Sequence, residues 1–236
     1  IVAVKCHHLE EAVVQLAGHV GPGTVILSLL NGITSEGVLS RAFSQAYVPL
    51  AVCVGIDGVR HGGDVQYTTL GWVEVGDPVA GEPPARVVQL EGLLGDLGLT
   101  CRVRADMVHA LWWKFLVNVG VNQVTALLEA PYAVIQRPGP ALDLVIAAQR
   151  EVVAVAQAEG VDLSEADIAT FLEVMATLGP DNYTSMAQDA LAHRFTEVDE
   201  FAGTVVRLGE RHQVPTPVNA VLLQAFLAKH AWWGVA

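Results

Sequence analysis

Basic residues are scarce in this chain. Its 236 residues carry 13 Lys+Arg against 25 Asp+Glu, a formal net charge of −12. Residues 1–104 hold 6 basic and 10 acidic side chains, and residues 105–236 hold 7 and 15, so no basic tail hides in the total. No Lys/Arg cluster reverses the field locally, which argues against a nucleic-acid partner. Cysteine is scarcer still: Cys6, Cys53 and Cys101 are an odd number at wide spacing with no C-x-x-C pair. That excludes a disulfide framework and leaves three small core residues in apolar, strand-like surroundings. Long apolar runs are missing too, because Glu, Gln, Lys or Asp interrupts each one before it could span a bilayer. The opening Ile1-Val2-Ala3-Val4 has no basic stretch before it and no cleavage site after it, unlike a signal peptide. No membrane partner and a cytoplasmic, reducing compartment are expected. The eight histidines show no metal-ligand spacing. There is no G-x-S-x-G elbow, no Walker loop and no G-x-G-x-x-G after a strand.

Apolar residues are plentiful, at 52% against 16% charged, which excludes a disordered chain and suffices for one or two cores. Up to about residue 105, short β-branched runs alternate with helical stretches. Ile1–Val4 precedes an amphipathic segment over Leu9–Ala17. The turn Gly21-Pro22-Gly23 leads into a second run at 24–30, and a third follows at 47–54. Doubly apolar strands in β–α–β order predict a parallel sheet covered by helices on both faces. A hairpin is expected between 65–69 and 72–75 about Leu70-Gly71, then a helix over 83–98 and a strand at 100–103. Beyond 105, helical periodicity runs through 107–128, 139–160, 164–177, 186–192, 197–212 and 217–232. Breaks fall at Pro131, Pro138-Gly139-Pro140, Gly160 and Gly179-Pro180. The expected architecture is a partial Rossmann-like, doubly wound parallel α/β sheet over 1–105, followed by an all-α domain over 106–236.

Three places can carry chemistry. Lys114, Asn118 and Asn122 recur at i, i+4 and i+8, so they line one face of a helix whose other faces are nearly all apolar. Buried without partners they would cost several kcal/mol in total (roughly 1–3 for each unpaired group). Something polar should meet them, either neighbouring helices or a small ligand. The second place is Thr184-Ser185 and, further on, Thr196-Glu197-Val198-Asp199. Helix capping accounts for both, while Glu197 is also placed to meet Lys114. The third is Leu30-Asn31-Gly32 at the end of the second strand, with Lys5 at the end of the first. Asn-Gly is a turn signal whatever else it does, but loops at the carboxyl ends of strands are where open α/β sheets bind cofactors.

Taken together, these residues resemble the ketopantoate reductase (2-dehydropantoate 2-reductase) family. The resemblance rests on Lys5, on Leu30-Asn31-Gly32, and on Trp113-Lys114 with Asn118, Asn122 and Thr125. It continues through Ser185-Met186 with Gln188-Asp189, Thr196-Glu197-Val198-Asp199 with Gly203, and Val214-Pro215-Thr216-Pro217-Val218-Asn219. It covers the whole chain in order, and a Ser-to-Glu spacing of 12 is its most specific feature beside the lysine–amide helix. The resemblance implies NADPH-dependent reduction of a 2-keto acid, with NAD left open and 2-dehydropantoate, on the route to pantothenate, as first choice. It casts Lys114 as general acid, Asn118 and Asn122 as ligands of substrate oxygens, and Ser185 as ligand of the carboxylate. Glu197 would orient substrate or lysine. Asn31 would touch both cofactor and substrate, with Lys5, Gly32 and Glu197 on the cofactor side. In the family the helical domain closes one side of a cleft against the dinucleotide domain.

The sequence departs from that pattern twice. The family's G-x-G-x-x-G loop, about 70 residues before the position of Lys5, is not in this sequence, and that loop grips the pyrophosphate. Tyr132 stands where the family often has an asparagine that helps bind substrate. The first departure keeps open a non-catalytic interaction module, and the strand edge it implies favours pairing, including a homodimer. The second keeps open a dehydrogenase of another branched or aromatic 2-hydroxy acid.

Overall fold

The structure, a computed structural model, describes every residue except Asp57, Gly62, Thr68, Ala80 and Ala236. The chain divides into two compact units, Ile1–Leu111 and Trp112–Ala236.

The first unit contains helices α1 (Leu9–Leu16), α2 (Ser35–Ala42) and α3 (Ala85–Asp96), and strands β1 (Leu50–Val54), β2 (Val59–His61), β3 (Asp64–Gln66), β4 (Trp72–Gly76) and β5 (Cys101–Val103). Parallel bridges join Val2 to Ser28 and Val25 to Tyr47. The alternation of side chains along these runs builds two cores. Ile26 and Leu30 pack with Val2, Leu9, Leu39 and Phe43 under α1 and α2. Leu27 faces the opposite way and packs with Ala51, Val73, Val75 and the α3 residues Val87, Leu90 and Leu94. Neighbouring residues serving cores on opposite faces is what a sheet covered on both sides requires. β1 repeats the rule, since Leu50 and Val52 pack with Met107, Ala110 and Leu111 while Ala51 faces α3. The cysteines form no disulfide and are half-buried at the margins of these cores.

One pair departs from parallel order. In the sheet β1-β4-β5, β4 runs parallel to β5 but antiparallel to β1, with Leu50 opposite Gly76 and Val54 opposite Trp72. The link from β1 to β4 passes through a hairpin, β2 with β3, rather than a crossover helix, so the chain returns reversed. The hairpin expected between 65–69 and 72–75 therefore does not form, and Thr68 within it lies outside the described residues. β3 is exposed throughout, whereas Val73 and Val75 are buried. β4 needs a partner on both edges, and β1 and β5 supply them.

The second unit is helical: α4 (Met107–Leu128, with the unit boundary inside it), α5 (Pro140–Ala158), α6 (Glu165–Met175), α7 (Ser185–Leu191), α8 (Thr204–His212) and α9 (Pro217–Trp233). The caps follow the sequence. Ser164 and Asp167 form a reciprocal capping box on α6, and the Thr184 hydroxyl accepts from the Ala187 N–H to start α7. α4 meets α5 at Gly120, where a Cβ would stand 2.8 Å from Gln149 Cγ and 2.9 Å from Val145 Cγ1. The expected helix over 197–212 is broken. Asp199–Gly203 forms a π-helical turn ahead of α8, a widened turn that recurs at functional sites.

Candidate functional site

In the first unit, the Val2–Ser28 bridge sets the first two strand runs side by side in the same direction, so their carboxyl ends fall on one edge. Lys5 leaves the first run there and precedes a short 3-10 turn, Cys6–His8. The Cys6 thiol donates to the Asn31 carbonyl over 3.6 Å, which brings the Lys5 and Asn31 segments together. Gly32 has φ +92°, a left-handed conformation that a side chain would strain, and it turns the chain toward α2. This edge offers a cation and an amide beside a tight turn at the strand ends, the kind of place where open α/β sheets bind cofactors.

In the second unit the polar column on α4 enters a dense interior. Asn118 is 3% exposed and Asn122 8%, among fully buried Phe115, Leu116 and Val119, while Lys114 one turn earlier is half-buried. Lysine is rare here. The chain has three, Lys5, Lys114 and Lys229, and Lys229 is held by Glu129 at 2.8 Å and the Leu127 carbonyl at 3.3 Å. The Thr125 and Thr184 hydroxyls are 2.9 Å apart, which ties the Asn122 end of α4 to the cap of α7. Ser185, the first residue of α7, is exposed beside that junction. Glu197 is buried two residues ahead of the π turn, its carbonyl accepting from the Phe201 N–H within that turn.

A polar network invisible to sequence periodicity holds this arrangement. The Gln123 amide donates to Val119 O and to Asn219 Oδ1, and its Oε1 accepts from the Ala202 N–H in the π turn. Asn219 donates in turn to Ala148 O and to Glu151 Oε2. The Glu151 carboxylate also accepts from the Val218 and Asn219 N–H groups, at 2.7 and 2.9 Å, capping α9 with negative charge at its positive end. One lone acid in the apolar stretch Glu151-Val152-Val153 thus links α5, α9, α4 and the π turn. From outside, Arg207 braces that turn through Asp199 Oδ1 at 3.0 Å and Thr204 Oγ1 at 2.9 Å.

His230 anchors the residue before Glu197. Its Nε2 accepts from the Thr196 N–H at 3.2 Å and lies 2.9 Å from the Thr196 hydroxyl, with the ring stacked on Phe195. Accepting an amide proton requires an unprotonated Nε2, and burial lowers the ring's pKa. The unfolded chain then takes up the proton first, near pH 6.5, so the contribution to stability is complete above that value. It is lost as the pH falls through the lower folded value. Thermal melts between pH 7.5 and 5 are expected to fall more steeply for the parent protein than for His230→Gln, which accepts without titrating. Parallel slopes would remove His230 as the source.

Among the described residues there is no group of three or more His, Cys, Asp or Glu able to hold a metal ion, and no helix long and apolar enough to cross a membrane.

Fold and comparison with known proteins define the class: an NAD(P)-dependent 2-keto acid reductase. The chain belongs to the ketopantoate reductase family. The family model "Ketopantoate reductase PanE/ApbA C terminal" matches residues 106–230, and "Ketopantoate reductase PanE/ApbA" matches 1–79. A 2-dehydropantoate 2-reductase of Pyrobaculum aerophilum is 32% identical over 231 residues, 98% of this chain and 76% of that protein. The enzyme of the same name from Streptococcus pyogenes serotype M3 is 28% identical over 234 residues, covering 98% and 75%. Among solved structures, a dimeric ketopantoate reductase from Staphylococcus aureus superposes with a TM-score of 0.84 at 25% identity, over 98% of this chain and 77% of that one. D-mandelate dehydrogenase with NADH and anilino(oxo)acetate superposes with a TM-score of 0.87 at 25% identity, over 99% and 76%.

Proposed function

We propose that the protein reduces a 2-keto acid to the 2-hydroxy acid with NADPH, and that 2-dehydropantoate is its first substrate. The single observation that carries the reading is the α4 column. A half-buried lysine and two buried amides share one face of a helix that is otherwise core, and the Thr125–Thr184 bond sets Ser185 beside the column's end. In this reading residues 1–105 bind the nucleotide and 106–236 carry substrate binding and proton transfer. Lys5, Asn31 and Gly32 hold the ribose–nicotinamide end. A bound nicotinamide supplies the hydride.

The Lys114 ammonium gives its proton to the carbonyl oxygen, and before that its charge stabilises the oxygen as negative charge develops. Asn118 and Asn122 donate amide N–H groups to substrate oxygens, and the Ser185 hydroxyl donates to the carboxylate. Glu197 accepts from the substrate or from Lys114 and fixes its direction. Relatives of the same name support the reading, and the dimeric neighbour supports a homodimer. A cytoplasmic place belongs to it as well.

A second reading changes the substrate to an aryl 2-keto acid. It is favoured by the likeness to D-mandelate dehydrogenase and by Tyr132. The Tyr132 N–H donates to Asn182 O at 2.9 Å, which places this residue against the segment leading to Ser185, and burial raises the phenol's pKa. Comparing kcat/KM for 2-dehydropantoate, an unsubstituted branched 2-keto acid and an aryl 2-keto acid, each with NADPH and NADH and with the family's glycine-rich segment present ahead of residue 1, decides between them. Preference for 2-dehydropantoate with NADPH by tenfold or more is expected (about 1.4 kcal/mol). Preference for the aryl acid would transfer the assignment to the second reading, and turnover of none would sink both.

A further inference from the structure

Between the second strand run and α2 the chain crosses six residues, Leu29–Thr34, that include Asn31 and Gly32. The ends of this crossing are joined by side chains. Ser28 Oγ and Ser35 Oγ are 2.7 Å apart, and Ser35 Oγ donates to Glu36 Oε2 at 3.0 Å. Ser28 Oγ also accepts from the Leu30 N–H at 3.4 Å. Hydrogen counting fixes the direction. Ser35 spends its only proton on Glu36, so the Ser28 hydroxyl must donate to Ser35. The result is a one-way chain, Leu30 N–H to Ser28 to Ser35 to the Glu36 carboxyl. All three side chains are inside: Ser28 is 0% exposed, Ser35 2% and Glu36 5%. Glu36 Oε1 is buried and has no hydrogen-bond partner among the described residues.

An arrangement of this kind is a poor way to gain stability. Apolar side chains of the same size would fill the space without desolvating two hydroxyls and a carboxyl, and a buried polar atom without a partner is a standing cost. What the three residues do achieve is closure of the crossing at a fixed span. The other border of the turn is fixed by the Cys6 thiol on Asn31 O. We infer that Ser28, Ser35 and Glu36 form a clasp of positioning residues that holds Asn31 and Gly32 in the conformation that receives the nucleotide. The clasp deepens the functional reading above and rests on it for the nucleotide, but not for the loop. Burial lifts the Glu36 carboxyl above the usual carboxylate range, while its own backbone N–H and the Ser35 hydroxyl pull it part of the way back. Glutamine, whose carbonyl oxygen can accept from the Ser35 hydroxyl in the same way, should serve in its place.

Two measurements test the clasp. In hydrogen exchange on the 236-residue protein, Ser35→Ala and Glu36→Ala are expected to speed exchange across residues 29–36 by roughly tenfold, the scale that one or two lost buried hydrogen bonds produce. Rates at 50–54 and 101–103 should stay unchanged. Glu36→Gln, whose carbonyl still accepts from Ser35, should remain within about twofold of the parent (exchange tracks local opening). Unchanged exchange at 29–36, or an increase spread over the whole first unit, would overturn the proposal. In steady-state kinetics, with the family's glycine-rich segment present ahead of residue 1, the two alanine variants should raise KM for the nucleotide roughly tenfold with kcat nearly constant, the signature of lost uniform binding. Glu36→Gln should restore the parent KM. A fall in kcat matching the rise in KM would also overturn the positioning role. Asn31→Ala separates the two layers: if it leaves nucleotide KM unchanged while the clasp variants still loosen 29–36, the nucleotide assignment fails and the clasp stands.

Discussion

Lys114→Ala is expected to lower kcat by about 10²–10⁴-fold, the range that a positioned general acid contributes. Nucleotide affinity should be unchanged, because the lysine acts on the substrate's oxygen. The variant is best made in a chain that carries the family's glycine-rich segment. The helix should survive the substitution, since Lys114 is only half-buried and alanine is the better helix former. Lys114→Arg sharpens the result. It keeps the positive charge but gives up its proton far less readily, so it should recover binding of the 2-keto acid without recovering turnover. Full activity of the alanine variant would end the proton-transfer assignment. Loss of substrate binding with kcat intact would turn Lys114 into an anion ligand instead.

Glu151→Ala should have the largest effect on folding. The carboxylate accepts from two backbone N–H groups at the start of α9 and from the Asn219 amide, and Asn219 in turn supports Gln123 and the π turn. Removing it strands buried donors that cost roughly 1–3 kcal/mol each, so a total loss of about 3 kcal/mol is expected after relaxation. For a protein of this size that corresponds to roughly 6–12 °C in Tm. Glu151→Gln keeps one acceptor and loses the charge facing the helix end, and should fall about midway. Urea denaturation of the three proteins checks the order. A shift below about 1 kcal/mol for the alanine variant would show that α9 is held by its apolar face alone.

How much of this was legible in advance differs from element to element. α4 was readable to the residue, and the period of Lys114, Asn118 and Asn122 along it needed no coordinates. Thr184 announced α7 through its capping chemistry. α2 carries no such signal, because Ser35–Ala42 is short and polar, with Leu39 as its one buried apolar anchor. The pairing of β4 is hidden from the local sequence for a different reason. Sequence neighbours on either side of a glycine suggest a hairpin, and nothing local reveals that β1, some twenty residues earlier, offers the better apolar edge. The π turn at Asp199–Gly203 was hidden inside an apparently continuous helix. A widened turn depends on Gln123 accepting the freed Ala202 N–H, and Gln123 is far away in sequence.

The candidate site divides in the same way. The groups that would meet a ligand stand out in the sequence because they are polar in apolar company or sit at strand ends, and both signals are local. The groups that hold them in place, Ser28 with Ser35 and Glu36, Gln123 with Asn219 and Glu151, and His230 behind Thr196, give no such signal. Each is an ordinary polar residue until the chain folds. By itself the sequence determined the two kinds of domain, the helix faces and the chemistry on offer, since these follow from side-chain period and residue type over a few turns. Only the tertiary structure decided strand partners, the π turn and the buried polar supports, because a hydrogen bond between residues 96 or 68 positions apart is chosen by where the packed core leaves a donor without water.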